Sequence, residues 1–179
     1  HKSLLPTYDV FDELRYFEPG PATVLALVNG MRVGVTVCED LWTLPEVVGR
    51  VLYHREPVQE AAQAGAQLFV NAAASPFVAA KADFRHRLIS RHAKATRLSV
   101  AYVNQVGGND DLIFDGASSF YNERGELVAR AKSFQEDLLV VDPANPDGAR
   151  CEPLPGRTES VHQALVLGLG DYVRKCGFR

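Results

Sequence analysis

Met31-Arg32-Val33-Gly34-Val35-Thr36-Val37-Cys38-Glu39-Asp40-Leu41-Trp42 is the stretch that decides the fold. Val33 to Val37 is almost wholly apolar, as in a strand buried on both faces, and it runs straight into Cys38-Glu39-Asp40. Just upstream, Thr23 to Val28 is a second apolar run, and the intervening Asn29-Gly30 supplies the positive φ angles of a two-residue hairpin turn. Two antiparallel strands are expected, the second delivering Cys38 at its end. In α/β enzymes such a position suits a nucleophile, because the turn exposes the sulfur and the following backbone N–H groups can hold an oxyanion. An isolated cysteine is, however, more often a buried structural residue.

Outward from this stretch, Pro45 to Ala64 has a helical pattern interrupted at Pro57, with the second piece, Val58 to Ala64, closed by Gly65. A buried strand follows over Gln67 to Ala73, ending at Ser75-Pro76. Lys81 to Leu98 reads as the clearest helix, with Phe84, Leu88 and Ala95 on one face. Ser99 to Asn104 is a further strand, Val106 to Asp111 a glycine-rich loop, and Ser118 to Tyr121 with Leu127 to Ala131 a hairpin turning at Glu123-Arg124-Gly125. Leu138 to Asp142 is expected as a last strand. Pro143 to Glu159 has linker composition, and Val161 to Lys175 is an amphipathic helix using Val161, Leu165, Tyr172 and Val173. Upstream of the hairpin, Phe11 to Phe17 reads as a loop with one helical turn. Strands alternating with helices in the middle and hairpins at both sides indicate an α/β chain with a mixed sheet.

Composition excludes several function classes. In 179 residues, 19 basic side chains face 22 acidic ones, a net charge of -3 that gives no global field for nucleic acid or an anionic membrane. No run approaches the ~18 apolar residues of a membrane span, and His-Lys-Ser-Leu-Leu-Pro is no signal peptide, so the expected location is cytoplasmic. Cys38, Cys151 and Cys176 are odd in number and widely spaced, which favours free thiols over a disulfide framework or a zinc knuckle. With Met31 as its only methionine, the chain is expected to be a piece of a longer protein.

Among the chemistry-bearing residues, His54, His86, His92 and His162 stand in no distinctive context and read as surface or helix residues. The basic run Lys81, Arg85, His86, Arg87, Arg91, His92, Lys94 and Arg97 could form a nucleic-acid patch, but the acidic balance makes a solvated face or subunit contact the better account. Gly168-Leu169-Gly170 suits helix packing better than a phosphate cradle, and no G-x-x-x-x-G-K-[ST] loop is present. Lys2 and Lys81 each introduce an unusual apolar phrase, although a lone lysine is as a rule a solvated charge.

Five phrases in order carry more weight than any of these. They are His1-Lys2-x-x-Leu5-Pro6-x-Tyr8-x-Val10-Phe11-Asp12-Glu13-x-Arg15-Tyr16-Phe17, then Val37-Cys38-Glu39-Asp40-Leu41-Trp42, then Asn71-x-x-x-Ser75-Pro76-Phe77 ahead of Lys81-x-x-x-Arg85. Val103-Asn104-Gln105-Val106-Gly107-Gly108-Asn109-Asp110 and Phe114-Asp115-Gly116-Ala117-Ser118 complete the set. Together they resemble the glutamine-hydrolysing domain of the glutamine-dependent NAD+ synthetases, a branch of the nitrilase, or carbon-nitrogen hydrolase, superfamily. The tail from Ala164 to Lys175 is similar to that family's passage towards its ATP-using domain.

The resemblance implies a nitrilase-like αββα sandwich with mixed sheets, truncated at its N-terminal side. Residues 1–142 would be the carboxyl-terminal part of the glutaminase domain, and 143–179 a linker and helix leading towards an absent synthetase domain. It implies Cys38 as nucleophile, Lys2 as the catalytic lysine that stabilises thiolate and oxyanion, and a general-base glutamate ahead of His1. Glu13 would position Lys2 or the attacking water, the backbone of Glu39 would contribute to the oxyanion site, and Tyr8, Ser75 and Lys81 would bind glutamine, with Lys81 suited by charge to the α-carboxylate. No metal or cofactor is implied for glutamine hydrolysis. ATP and Mg2+ would serve the absent domain, which would convert deamido-NAD+ to NAD+ in a homo-oligomeric enzyme with no nucleic-acid or membrane partner. The fragment alone is expected to be inactive. The alternatives are a stand-alone nitrilase-type amidase acting on another small amide and, in a different class, the basic-helix binding module.

Overall fold

In the computed structural model, residues 1–146 and 148–178 are described. Strands β1 (Val24–Val28) and β2 (Met31–Val37) pair antiparallel across Asn29-Gly30, whose φ angles of 48° and 82° are those the hairpin requires. Strands β3 (Leu68–Ala73) and β4 (Ser99–Asn104) then add in parallel, each after a helical crossover. Strands β5 (Val106–Asn109) and β6 (Leu112–Asp115) form a separate ribbon, while β7 (Ser119–Tyr121) and β8 (Leu127–Arg130) extend the main sheet. The resulting sheet is mixed, in the order β1-β2-β3-β4-β7-β8.

Helices α2 (Pro57–Gln63) and α3 (Lys81–Thr96) cover one face of this sheet. Register aligns Gly34, Phe69 and Val100 across three strands. Phe69 and Val100 there meet Val58, Ala61, Leu88, Ile89 and Ala93 in the core, and burying such side chains stabilises by about 1.5–3 kcal/mol each. Gly34 has no side chain because a Cβ would lie 3.0 Å from that of Ala61 and 3.1 Å from the Phe69 ring. That close approach seats α2 on β2.

Several expectations from the sequence are corrected. Pro45 to Glu56 is not one helix: α1 spans only Pro45–Val48 and is ended by Gly49 at φ 83°. The glycine-rich stretch 106–111 is not a loop but the β5 strand and its turn into β6. Leu138 to Asp142 is not a strand, and Leu138 and Val140 are 84% and 81% exposed. The reason lies at the sheet edge, where β8 is already occupied: Arg130 exchanges backbone bonds with Arg150 and Glu152.

The helix α4 (Arg157–Lys175) begins four residues earlier than expected and buries a face beside the one its apolar residues suggest. Ala164 and Asp171 are buried, whereas Val161, Leu165, Tyr172 and Val173 are exposed. Small residues decide this, since the Gly168 backbone packs against Gly108, where an added Cβ would stand 3.2 Å from the Gly168 Cα. Asp171 accepts the Gly108 N–H at 2.7 Å, and Lys175 donates to the Gly108 carbonyl at 2.5 Å. The packing role expected of the Gly168 segment is met by Gly168; a Cβ on Gly170 would meet nothing.

On α3 the solvated basic face is present at His86, Arg87, Arg91, Lys94 and Arg97, and the expectation is corrected at two members of the run. Arg85 and His92 are buried with Leu88 and Ile89, and Ala95, expected on the packed face, is exposed. No helix of the described residues is long and apolar enough to cross a membrane.

Candidate active site

Strand β2 ends at Val37, and Cys38 opens a 3-10 turn, Cys38–Leu41, with φ at 44°. A left-handed backbone is costly for a residue with a Cβ, so the turn is held from several sides. Buried Asn71 on β3 donates from Nδ2 to Thr36 Oγ1 at 2.9 Å and to the Cys38 carbonyl at 3.5 Å. His92 on α3 donates from Nε2 to the Leu41 carbonyl at 2.6 Å. Asp40, also buried, accepts the backbone N–H groups of Ser3, Leu4 and Val37.

Through those bonds the amino-terminal segment lies beside the turn. A cleft of about 650 Å3 opens there, lined by Lys2, Glu13 and Cys38 with Phe11, Phe17 and Phe114 among its apolar walls. Lys2 Nζ lies 2.5 Å from both carboxylate oxygens of Glu13, so the two form a half-buried ion pair. Burial raises the Cys38 thiol above its usual range, opposed by the Ala74 backbone N–H, the Lys2 ammonium and Lys81, while Glu39 adds to the rise. All three cysteines are free, as their spacing suggests. Among the described residues no group of three or more His, Cys, Asp or Glu side chains is placed to hold a metal ion.

The remaining predicted residues surround the cleft without lining it. Tyr8 donates to Glu39 Oε1 at 2.6 Å, and Tyr53 donates to the same oxygen at 2.8 Å. Burial raises the Glu39 carboxyl, and the two phenols and Lys2 pull it back; both phenols are themselves pushed far above their ordinary range by burial and by that carboxylate. Ser75 is buried, and its Oγ has no hydrogen-bond partner among the described residues. Lys81 sits 5.2 Å over the Trp42 ring and donates to the Pro76 carbonyl at 3.1 Å. Burial lowers its ammonium, assisted by neighbouring Arg85, while Cys38, Asp115 and Glu39 oppose.

Sequence reasoning missed the groups that hold these residues. The Ser75 N–H donates to Asn104 Oδ1 at 2.9 Å, Asn104 Nδ2 donates to Asp115 Oδ1 at 3.1 Å, and buried Arg85 grips both Asp115 oxygens. Arg85, Asn104, Asp115 and Asp40 all stood inside the quoted motifs, yet only their partners across the fold give them a purpose. Tyr53 and His92 carried no signal in sequence.

Residues 1–145 match the sequence model of the carbon-nitrogen hydrolase family. A glutamine-dependent NAD(+) synthetase of Synechocystis sp. is 45% identical over 99% of this chain and 33% of its own length. The solved glutamine-dependent NAD+ synthetase of Acinetobacter baumannii, in complex with ADP, superposes with a TM-score of 0.85 at 35% identity, over 99% of this chain and 32% of that one. A carbon-nitrogen hydrolase from Helicobacter pylori shares the fold, with a TM-score of 0.63 at 24% identity over 75% of this chain and 48% of that one. The chain thus spans about a third of the length of the curated synthetases it matches.

Proposed function

The chain belongs to the carbon-nitrogen hydrolase family, and from that membership we propose that it is the glutamine-hydrolysing part of a glutamine-dependent NAD+ synthetase. The observation that carries this reading is the gathering of Lys2, Glu13 and Cys38 in one cleft, with Cys38 on a left-handed turn at a strand end. Favouring a synthetase over a stand-alone amidase, the solved synthetase aligns with 99% of the chain, α4 included, whereas an amidase of the same superfamily aligns with 73%.

In the proposed reaction the Cys38 thiolate attacks the side-chain amide carbon of glutamine. The Lys2 ammonium and the Glu39 backbone N–H balance the charge that develops on the amide oxygen. Collapse of that intermediate breaks the C–N bond, and a protonated carboxyl gives its proton to the departing ammonia. Water, deprotonated by the same carboxylate, then splits the thioester to glutamate and regenerates Cys38. Glu13 is committed to Lys2 through both oxygens and orients it, so the proton-carrying carboxylate is a separate one, which the family resemblance puts ahead of His1.

Ser75, with its unpartnered hydroxyl, and Lys81, a cation near Cys38, would hold the amino-acid end of glutamine, and Tyr8 would act through Glu39. The division at residue 142, the cytoplasmic location, homo-oligomerisation, and ammonia transfer to an ATP- and Mg2+-dependent step on deamido-NAD+ belong to the same proposal.

The decisive experiment uses the complete gene product. Cys38→Ala is expected to lower glutamine-dependent NAD+ formation at least about a thousandfold while leaving formation from ammonium salt intact. Retained glutamine use would remove Cys38 from the nucleophile role.

A further inference from the structure

The Lys2 and Cys38 segments are far apart in sequence, and one buried carboxylate ties them together. Asp40 Oδ1 accepts the N–H groups of Ser3 at 2.9 Å and Leu4 at 2.8 Å, the two residues that follow Lys2. Its Oδ2 accepts the Val37 N–H at 3.0 Å, immediately before Cys38. One further bond crosses between the segments, from the Tyr8 hydroxyl to Glu39 Oε1 at 2.6 Å, but it joins side chains, whereas Asp40 holds the backbone on both sides; Glu13 holds the Lys2 ammonium, Gly20 donates to the Lys2 carbonyl at 2.7 Å, and Asn71 and His92 hold the Cys38 turn. Burial raises the Asp40 carboxyl, and the three N–H groups with Lys2 favour its charged form in return.

We propose that Asp40 is a positioning residue that sets the separation of the Lys2 ammonium from the Cys38 sulfur, and thereby the supply of thiolate. This rests on the reading of Lys2 and Cys38 as a working pair. The chemistry is demanding because a carboxylate offers acceptors on both oxygens, whereas an amide of the same shape turns an NH2 towards at least one of the three donors. The unpaired N–H, buried, is costly and is relieved by movement of the segment that carries it.

The test reads Cys38 itself. In the complete gene product, the pH dependence of iodoacetamide alkylation is followed by mass spectrometry on the Cys38 peptide, with exposed Cys151 and Cys176 as internal controls. The groups that influence Cys38 are Lys2, Lys81, Glu39 and the Ala74 N–H, with Tyr8 and Tyr102 nearby, so the wild-type profile reports their sum.

Lys2→Met is expected to raise the alkylation midpoint. Asp40→Asn is expected to raise it by about one pH unit, slowing Cys38 alkylation at neutral pH about tenfold and leaving the controls unchanged. Glutamine turnover should fall in kcat with little change in KM. If Lys2→Met shifts the midpoint and folded Asp40→Asn does not, the positioning role is overturned. No shift with Lys2→Met would instead remove the Lys2–Cys38 pairing beneath it. Should Asp40→Asn fail to fold, Asp40→Glu decides: its oxygens stand one methylene further along, and an unchanged midpoint in that variant overturns the proposal.

Discussion

On both long helices of this protein the buried face departs from what composition suggests. α3 carries Lys81, Arg85, His86, Arg87, Arg91, His92 and Lys94, yet it buries Arg85, Ser90 and His92 against the sheet and the Cys38 turn. α4 is rich in Val and Leu, yet Leu165 and Tyr172 are 64% and 60% exposed, and it attaches through Ala164, Gly168 and Asp171. The difference teaches that a helix buries whatever its partner can accept. α3 meets acceptors at Asp115, the Leu41 carbonyl and the Gly125 carbonyl, so its polar groups enter. α4 meets a ribbon of glycines too close for bulky side chains, so they stay outside.

The contrast breaks most severely at the Arg85–Asp115 pair, where both side chains are almost wholly buried. Burial alone would lower the Arg85 guanidinium, but the Asp115 carboxylate more than reverses this and holds it above its ordinary range. Asp115→Ala leaves that cation uncompensated and is expected to cost about 3–5 kcal/mol in urea unfolding. A loss below about 1 kcal/mol would return Arg85 to the solvated face that composition suggests.

A smaller effect sharpens the same point at His92, which burial lowers to about 4, opposed by its bond to the Leu41 carbonyl. The unfolded chain takes up this proton near ~6.5, so the depressed folded value means that stability is complete above that pH and falls as pH drops towards 4. The lost contribution approaches about 3 kcal/mol. Unfolding measured from pH 7 downwards should show a slope that His92→Gln removes, and an unchanged slope would mean that the ring is solvated. On α4 the expected effect is smallest: Leu165→Ser should change unfolding free energy by no more than about 0.5 kcal/mol. A loss of 2 kcal/mol or more in the complete gene product would show that this face is covered there.

Much of the candidate site was legible because its signals are local. Cys38 stands out as the residue where an apolar strand stops, and Lys2, Glu13, Tyr8, Ser75 and Lys81 stand out through the phrases around them. The pairing of Glu13 with Lys2 was anticipated as one of two possible duties, and both Glu13 oxygens lie on Lys2. The sheet shows the same division. Its hairpins and parallel strands follow from turn chemistry and apolar periodicity, whereas the strand expected at Leu138 fails because the edge it needed is held by Arg150 and Glu152.

By itself, then, the sequence determined the α/β class, the turn at Asn29-Gly30 and the position of a thiol at the end of β2, because steric preference and alternation act between neighbouring residues. Only the tertiary structure decided which faces of α3 and α4 are buried and which groups hold the site. Asp40 reaches Ser3 and Leu4 across 37 and 36 positions, and Arg85 reaches Asp115 across 30. A buried polar group is worth keeping only when its partner arrives, and that partner is set by packing over distances no local pattern encodes.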